Sequence, residues 1–296
     1  MKTSRWLLIS VVLGLVGCPS SKTVKPAVAP VVNDSPTAKR PFLWRVEGKT
    51  GTSYLLGTMH VGVDARKAFS TSVWRAFDAA KTAVFEVSIK GLDSFGLGVQ
   101  PEGQTLDKQM TPQQWTKLLE TLKIDPEGSS ASRLKGMRAW IVVAEIINSM
   151  APPTPSIDTT LRNRAEKLGK TLVFLESIKV QAAILDKYAN VEYLLAMVAN
   201  LKVQRASIKE DVELYIGGDG AAFEKSAITD MEKHIGAAGM EQLLYGRNRS
   251  WMPALIKAID GGNAFIAVGT AHLLGARSVI VKLRKHGYKV TRILEP

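Results

Sequence analysis

The chain has 296 residues, a formal charge of +12 at pH 7 and one cysteine, which excludes an internal disulfide framework. Its Lys and Arg residues are mostly scattered singly among apolar ones, and aromatics do not interleave with them as a nucleic-acid stacking surface requires. No nucleic-acid partner is therefore expected.

Two cations, Lys2 and Arg5, precede an uncharged run of about a dozen residues from Trp6 to Gly17. That layout is a signal peptide, because a bilayer-spanning helix needs about 20 residues. The run ends in Leu15-Val16-Gly17-Cys18, which reads as a lipobox: residues 1–17 are removed and Cys18 carries lipid. From Pro19 to Arg40 the chain holds four prolines and nothing apolar larger than valine, so it cannot offset its ordering entropy by burial. Residues 18–40 are read as the lipidated cysteine and a flexible tether. Residues 41–296 are read as one folded domain. The expected location is the cell envelope, at the periplasm-facing surface of the outer or inner membrane, with the membrane reached through lipid on Cys18.

Phe42 to Glu47 predicts a strand, Gly48-Lys49-Thr50-Gly51 a turn, and Thr52 to Leu56 a second strand that runs into Gly57-Thr58-Met59-His60. The turn resembles the tail of a phosphate-binding loop, but Leu43 stands where the glycine five positions earlier is needed, so that reading is rejected. Val73, Trp74, Phe77 and Ala80 recur at helical spacing over 72–81, and Ala83 to Val87 returns to strand residues. Thr111 followed by Pro112 opens a helix to Leu122, and Met137 to Met150 is apolar on most faces. Pro152, Pro153 and Pro155 break the pattern. Thr159 to Leu168 is an amphipathic helix stopped by Gly169, Thr171 to Leu175 a short strand ending at Glu176, and a long helical region follows to about Asp211.

Glu241 to Trp251 predicts a helix, and Pro253 to Ile259 either a kinked continuation or a fresh one. Ala264 to Val268 is a strand running into Gly269-Thr270-Ala271-His272, Ser278 to Lys285 a helix, and Tyr288 to Leu294 a last strand. The expected fold class is α/β: a mixed sheet from two related half-units, with helical cover and a helical insertion.

The two Gly-Thr-X-His segments are the most informative feature. A glycine at a strand end lets the backbone turn or approach a ligand, and a histidine three residues on is held at the sheet rim. His60 and His272 are candidate ligands of a shared divalent metal, Mn, Co, Fe or Zn, which lowers the pKa of bound water. Glu86 and Glu176 each end an apolar strand, where a charge must be paired or metal-bound. Either glutamate is a candidate carboxylate for that ligand set. Arg247-Asn248, a polar pair in an apolar helix, either faces a site or partners one of the glutamates. His234 and His286 read as solvated surface positions. There is no Gly-X-Ser-X-Gly elbow and no His-Glu-X-X-His helix.

These residues resemble the TraB/GumN family, which also contains the Wnt-inactivating TIKI peptidases. Phe42-Leu43-Trp44-Arg45-Val46 with Tyr54 to Val61 resembles its opening, and Val84-Phe85-Glu86-Val87 its strand ending in glutamate. Ile157-Asp158, Ala165, Gly169-Lys170, Leu175-Glu176-Ser177 and Gln181 are similar to its central block. Arg247-Asn248-Arg249, Trp251, Phe265 to Leu274 and Gly287-Tyr288-Lys289-Val290 are similar to its ending. Phe69-Ser70 departs from the Leu-Pro often found after the first histidine, and neither residue is a proposed ligand.

The resemblance implies a metal-dependent hydrolase, a peptidase acting on a peptide or protein. His60, His272 and Glu86 would be ligands, and Glu86, Glu176, Arg247 and Asn248 the catalytic or orienting groups. Two alternatives stand beside it. One is metal-free hydrolysis with a histidine as base, as the similar erythromycin-esterase-like fold suggests. The other is a lipid-anchored binding or scaffold protein without catalysis, since fold does not carry function with it.

Overall fold

The computed structural model describes residues 40–88 and 96–294, with His234 described in its backbone alone. The expected signal peptide, Cys18 and nearly all of the tether lie outside the described residues, as does the side chain of His234.

Six strands form one mixed sheet: β1 (Leu43–Glu47), β2 (Thr52–Thr58), β3 (Thr82–Val87), β4 (Thr171–Glu176), β5 (Ala264–Gly269) and β6 (Lys289–Ile293), in the order β4-β3-β5-β2-β1-β6. β2, β5, β3 and β4 are mutually parallel neighbours, and β1 runs antiparallel to both β2 and β6. The order accounts for the composition of each strand. Central β5 is buried at all six positions, as a strand covered on both faces must be, whereas the edge strands β4 and β6 are the least buried.

Helix Thr71–Ala79 buries Val73, Trp74 and Phe77, and Phe77 meets Phe265 of β5 edge-on with ring centroids 5.0 Å apart. The helix Pro112–Leu122 starts where the sequence predicts, and Thr111 and Gln114 form a reciprocal capping box. The long helical region read to about Asp211 is divided into Ile178–Tyr188, Val191–Ala199 and Leu201–Gly217. Asn190 makes the first break by turning its side chain onto the amide of Tyr193 as an N-cap. Apolar periodicity runs through such a break, so periodicity alone does not reveal it.

β5 inserts between β2 and β3. The carboxyl ends of four parallel strands therefore converge on one edge of the sheet, where the strand order switches direction and α/β proteins place their ligands. The two Gly-Thr-X-His segments leave that edge side by side: Gly57 pairs with Val268 and Thr58 with Gly269, a stagger of one residue. Glu86 and Glu176 leave it from β3 and β4.

Candidate active site

The stagger is held by side chains as well as by the ladder. Thr270 Oγ1 donates to the carbonyl of Thr58 at 2.9 Å, and the buried Tyr215 hydroxyl donates to the carbonyl of Gly57 at 2.8 Å. A Cβ at Gly57 would lie 2.8 Å from Thr270 Oγ1 and 3.1 Å from Phe42 Cβ, so the strand end closes this tightly only because residue 57 has no side chain.

Arg247 lies at the centre of the edge. It is carried by helix Gly246–Ser250, which continues directly from a one-turn π-helical segment, Glu241–Tyr245. Such turns recur at functional sites. Its Nη2 donates to Glu86 Oε2 at 2.6 Å and to Glu176 Oε1 at 2.7 Å; its Nε donates to Glu176 Oε2 at 3.0 Å, and its Nη1 to the carbonyl of Leu243 at 3.0 Å. The remaining carboxylate valences are taken by the chain itself. The amide of Gly269 donates to Glu86 Oε1 at 2.7 Å, and Trp251 Nε1 to Glu176 Oε2 at 3.1 Å.

Gln181 bridges the two acids. Its Nε2 lies 3.2 Å from Glu176 and 3.4 Å from Glu86. Between two acceptors the amide must present its NH2, which fixes the orientation of the group and turns its buried Oε1 away from them, with no donor among the described residues. One guanidinium serves two buried carboxylates, so the cluster keeps surplus negative charge unless one acid holds a proton. Burial pushes the Glu86 carboxyl up, and the opposing pull of Arg247 and His60 does not cancel it.

His272 is fully buried against this cluster. Asn248 Nδ2 donates to the carbonyl of Arg277 at 3.2 Å, which turns Asn248 Oδ1 toward His272 Nδ1 at 2.6 Å. The imidazole therefore carries its proton on Nδ1 and accepts from Arg247 Nη1 on Nε2 at 3.1 Å. Burial first, then the charges of Arg247 and His60, hold it well below the ordinary imidazole range, so it is neutral. The Trp251 ring covers it at a centroid distance of 4.4 Å.

His60 has a different partner. Its Nδ1 lies 2.8 Å from Asp158 Oδ2, and Thr58 Oγ1 donates to the other carboxylate oxygen at 2.9 Å. Asp158 sits in the first turn of helix Ile157–Lys167, whose N-cap Ser156 accepts from the amide of Thr159 at 3.1 Å. The His60 side chain is 5% exposed and that of Asp158 20%, so the pair reaches solvent on the aspartate side. Thr58 pairs with Gly269, whose amide binds Glu86, which puts His60, two residues further on, beside the buried cluster.

Glu86, Glu176, Arg247, Asn248 and His272 thus form one hydrogen-bonded unit with His60 next to it. Of the two roles open for Arg247-Asn248, partnering the glutamates and His272 is the one this geometry shows. In the sequence, Asp158 and Gln181 stand out only by resemblance, without a role. Asp158 meets His60 across 98 residues, and Gln181, though five residues from Glu176, reaches Glu86 across 95, so the pattern around each does not reveal its role. His286 is exposed.

As donors for a metal shared by His60, His272 and Glu86, these groups are poorly disposed. The Nε2 of His272 faces a guanidinium and both Glu86 oxygens accept hydrogen bonds. Among the described residues no group of three or more His, Cys, Asp or Glu side chains is arranged to hold a metal ion.

No curated protein and no solved structure matches the chain. The model of the TraB/PrgY/gumN family matches residues 42–292, from just before β1 into β6 and across every residue of the site, and the chain belongs to that family.

Proposed function

We propose that the protein is a hydrolase in which His60, oriented by Asp158, is the general base acting on a peptide or related acyl substrate. The observation that carries this reading is the 2.8 Å contact between His60 Nδ1 and the Asp158 carboxylate at the carboxyl edge of the four parallel strands. A carboxylate on Nδ1 fixes the tautomer and raises the basicity of Nε2, the nitrogen that takes the proton. In the reaction, water adds to the carbonyl carbon as its proton passes to His60 Nε2. The same proton then goes to the leaving nitrogen or oxygen as its bond to carbon breaks. Neutral His272, fixed between Asn248 and Arg247, and the Glu86–Arg247–Glu176 cluster form the rigid wall behind the pair.

A metal-dependent version is the second reading. It is favoured by the tethering of both histidines through Nδ1 to a side-chain oxygen, as in metal-ligating imidazoles. A bound Mn, Co, Fe or Zn ion would supply a hydroxide nucleophile near neutral pH. The guanidinium at His272 Nε2 favours the metal-free version. Cys18, at the end of a lipobox-like run, is proposed to hold this domain at an envelope membrane.

The test is the pH–rate profile. His60→Ala lowers turnover by about 10² or more. Asp158→Asn lowers kcat and moves the acidic limb to lower pH, because the imidazole loses the carboxylate that raises its pKa. An unmoved limb with full activity contradicts the reading.

A further inference from the structure

The opposite pole of the sheet carries a second concavity. A cleft of about 740 Å³ opens at the amino ends of the parallel strands, at Thr52, Lys81 and Asn263, runs along the sheet toward Leu43 and Ile293, and shares no residue with the histidine site. Its mouth at Lys81, immediately before β3, is separated from the histidine site by strands of six or seven residues, about 20 Å at roughly 3.3 Å per residue. The volume falls within the range of small-molecule pockets, about 300–1,000 Å³.

Its lining has a distinct character. Arg75, on helix Thr71–Ala79, and Lys81, two residues past that helix, are both exposed, and among the described residues no acidic side chain lines the cleft. Neither cation has an ion-pair partner among the described residues, although Asp78 between them is held by Arg164. Tyr54 and Ser72 bring hydroxyl groups, and Leu43 and Ile293 an apolar patch.

The rim is rigid. Asn263 has a left-handed backbone, φ 57°, a conformation that non-glycine residues adopt mostly where surroundings enforce it. The enforcement is visible: its Nδ2 donates to the carbonyl of Ala79 at 3.0 Å, its amide to that of Thr52 at 3.2 Å, and its own carbonyl accepts from the amide of Lys81 at 2.9 Å. One residue thus joins three segments of the rim and fixes the backbone from which Lys81 extends.

We propose that this cleft binds a phosphate ester, with the phosphate held by Arg75 and Lys81 and the rest of the molecule resting on Tyr54, Leu43 and Ile293. A guanidinium fork and an ammonium lining one cleft suit a phosphate group, and the aromatic and aliphatic lining suits an organic body rather than a free ion. The phosphate can come from a soluble phosphomonoester or from a phospholipid headgroup.

The experiment is calorimetric titration of the full-length chain in neutral detergent with three probes: glycerol 3-phosphate, short-chain phosphatidylglycerol and short-chain phosphatidylcholine. Saturable binding of one of the first two, weakened about tenfold or more in Arg75→Ala/Lys81→Ala with unchanged thermal unfolding, is the expected result. Binding of glycerol 3-phosphate alone assigns a soluble ligand, and binding of phosphatidylglycerol alone a lipid headgroup. Absence of binding, equal binding by the double variant, or equal binding of phosphatidylcholine overturns the proposal.

Discussion

Arg247 is the residue on which the buried charges depend. Its guanidinium compensates Glu86 and Glu176 and donates to His272, and its side chain is 4% exposed. Removing one partner of a buried ion pair leaves an uncompensated charge, which costs about 3–5 kcal/mol. Arg247→Ala is expected to unfold at markedly lower temperature or denaturant concentration. Arg247→Lys is not expected to restore it, because one ammonium cannot reproduce the fork to both acids and the imidazole. Wild-type stability in Arg247→Ala, measured by chemical denaturation, contradicts this account of the cluster. His272 gives a pH signature. Its folded pKa is depressed, so it contributes stability that is fully present above the unfolded imidazole value of 6.5 and is lost as pH falls from there toward the folded value. Glu86, whose pKa is raised, acts in the opposite sense: its contribution is present at low pH and is lost as pH rises past the ordinary carboxylate range. Comparison with His272→Gln isolates the imidazole. The parent should lose more stability than the variant between pH 7.5 and 5.5, and parallel losses contradict the burial of a neutral His272. At this scale the sequence made the charged strand ends and the two histidines legible, because a glutamate closing an apolar strand is unusual wherever it occurs. The partner of His60 was not legible: a contact between a strand end and a helix start 98 residues later exists only once the sheet is assembled.

Among the elements, the strand ends have the narrowest tolerance. Gly57 packs against Thr270 and Phe42 at distances that leave no room for a methyl group, and the carbonyl of Gly57 also holds the Tyr215 hydroxyl. Gly57→Ala forces β2 away from the segment that follows β5. It is expected to cost about 1–3 kcal/mol, as overpacking does, and to lower activity at temperatures where the protein is still folded. Full activity with unchanged stability contradicts the claim that this close approach sets the site. The strands were readable because each is short, apolar and bounded by glycine or a turn, and β1, β2 and β5 fall where the pattern predicts them. Their neighbours in the sheet were not readable. No local signal says that β5 slips between β2 and β3, yet that insertion brings the two histidine segments together. The helices between Ile178 and Gly217 were read as one region because asparagine caps interrupt the chain without interrupting its apolar stripe.

Across the whole molecule, one sheet serves two poles of opposite character. The carboxyl edge buries a network of two acids, an arginine and a neutral imidazole beside a His60–Asp158 pair that reaches solvent on the aspartate side, and a cleft carrying two exposed cations opens at the amino edge. The mixed α/β architecture followed from the alternation of strands and helices. The chemistry of each pole followed only from tertiary contacts. Turnover of a peptide library by the full-length chain, with and without a strong chelator and beside His60→Ala, tests the central claim most directly. The account predicts hydrolysis that survives the chelator and is lost in His60→Ala; hydrolysis undiminished in His60→Ala, or activity abolished by the chelator and restored by added metal, would contradict it.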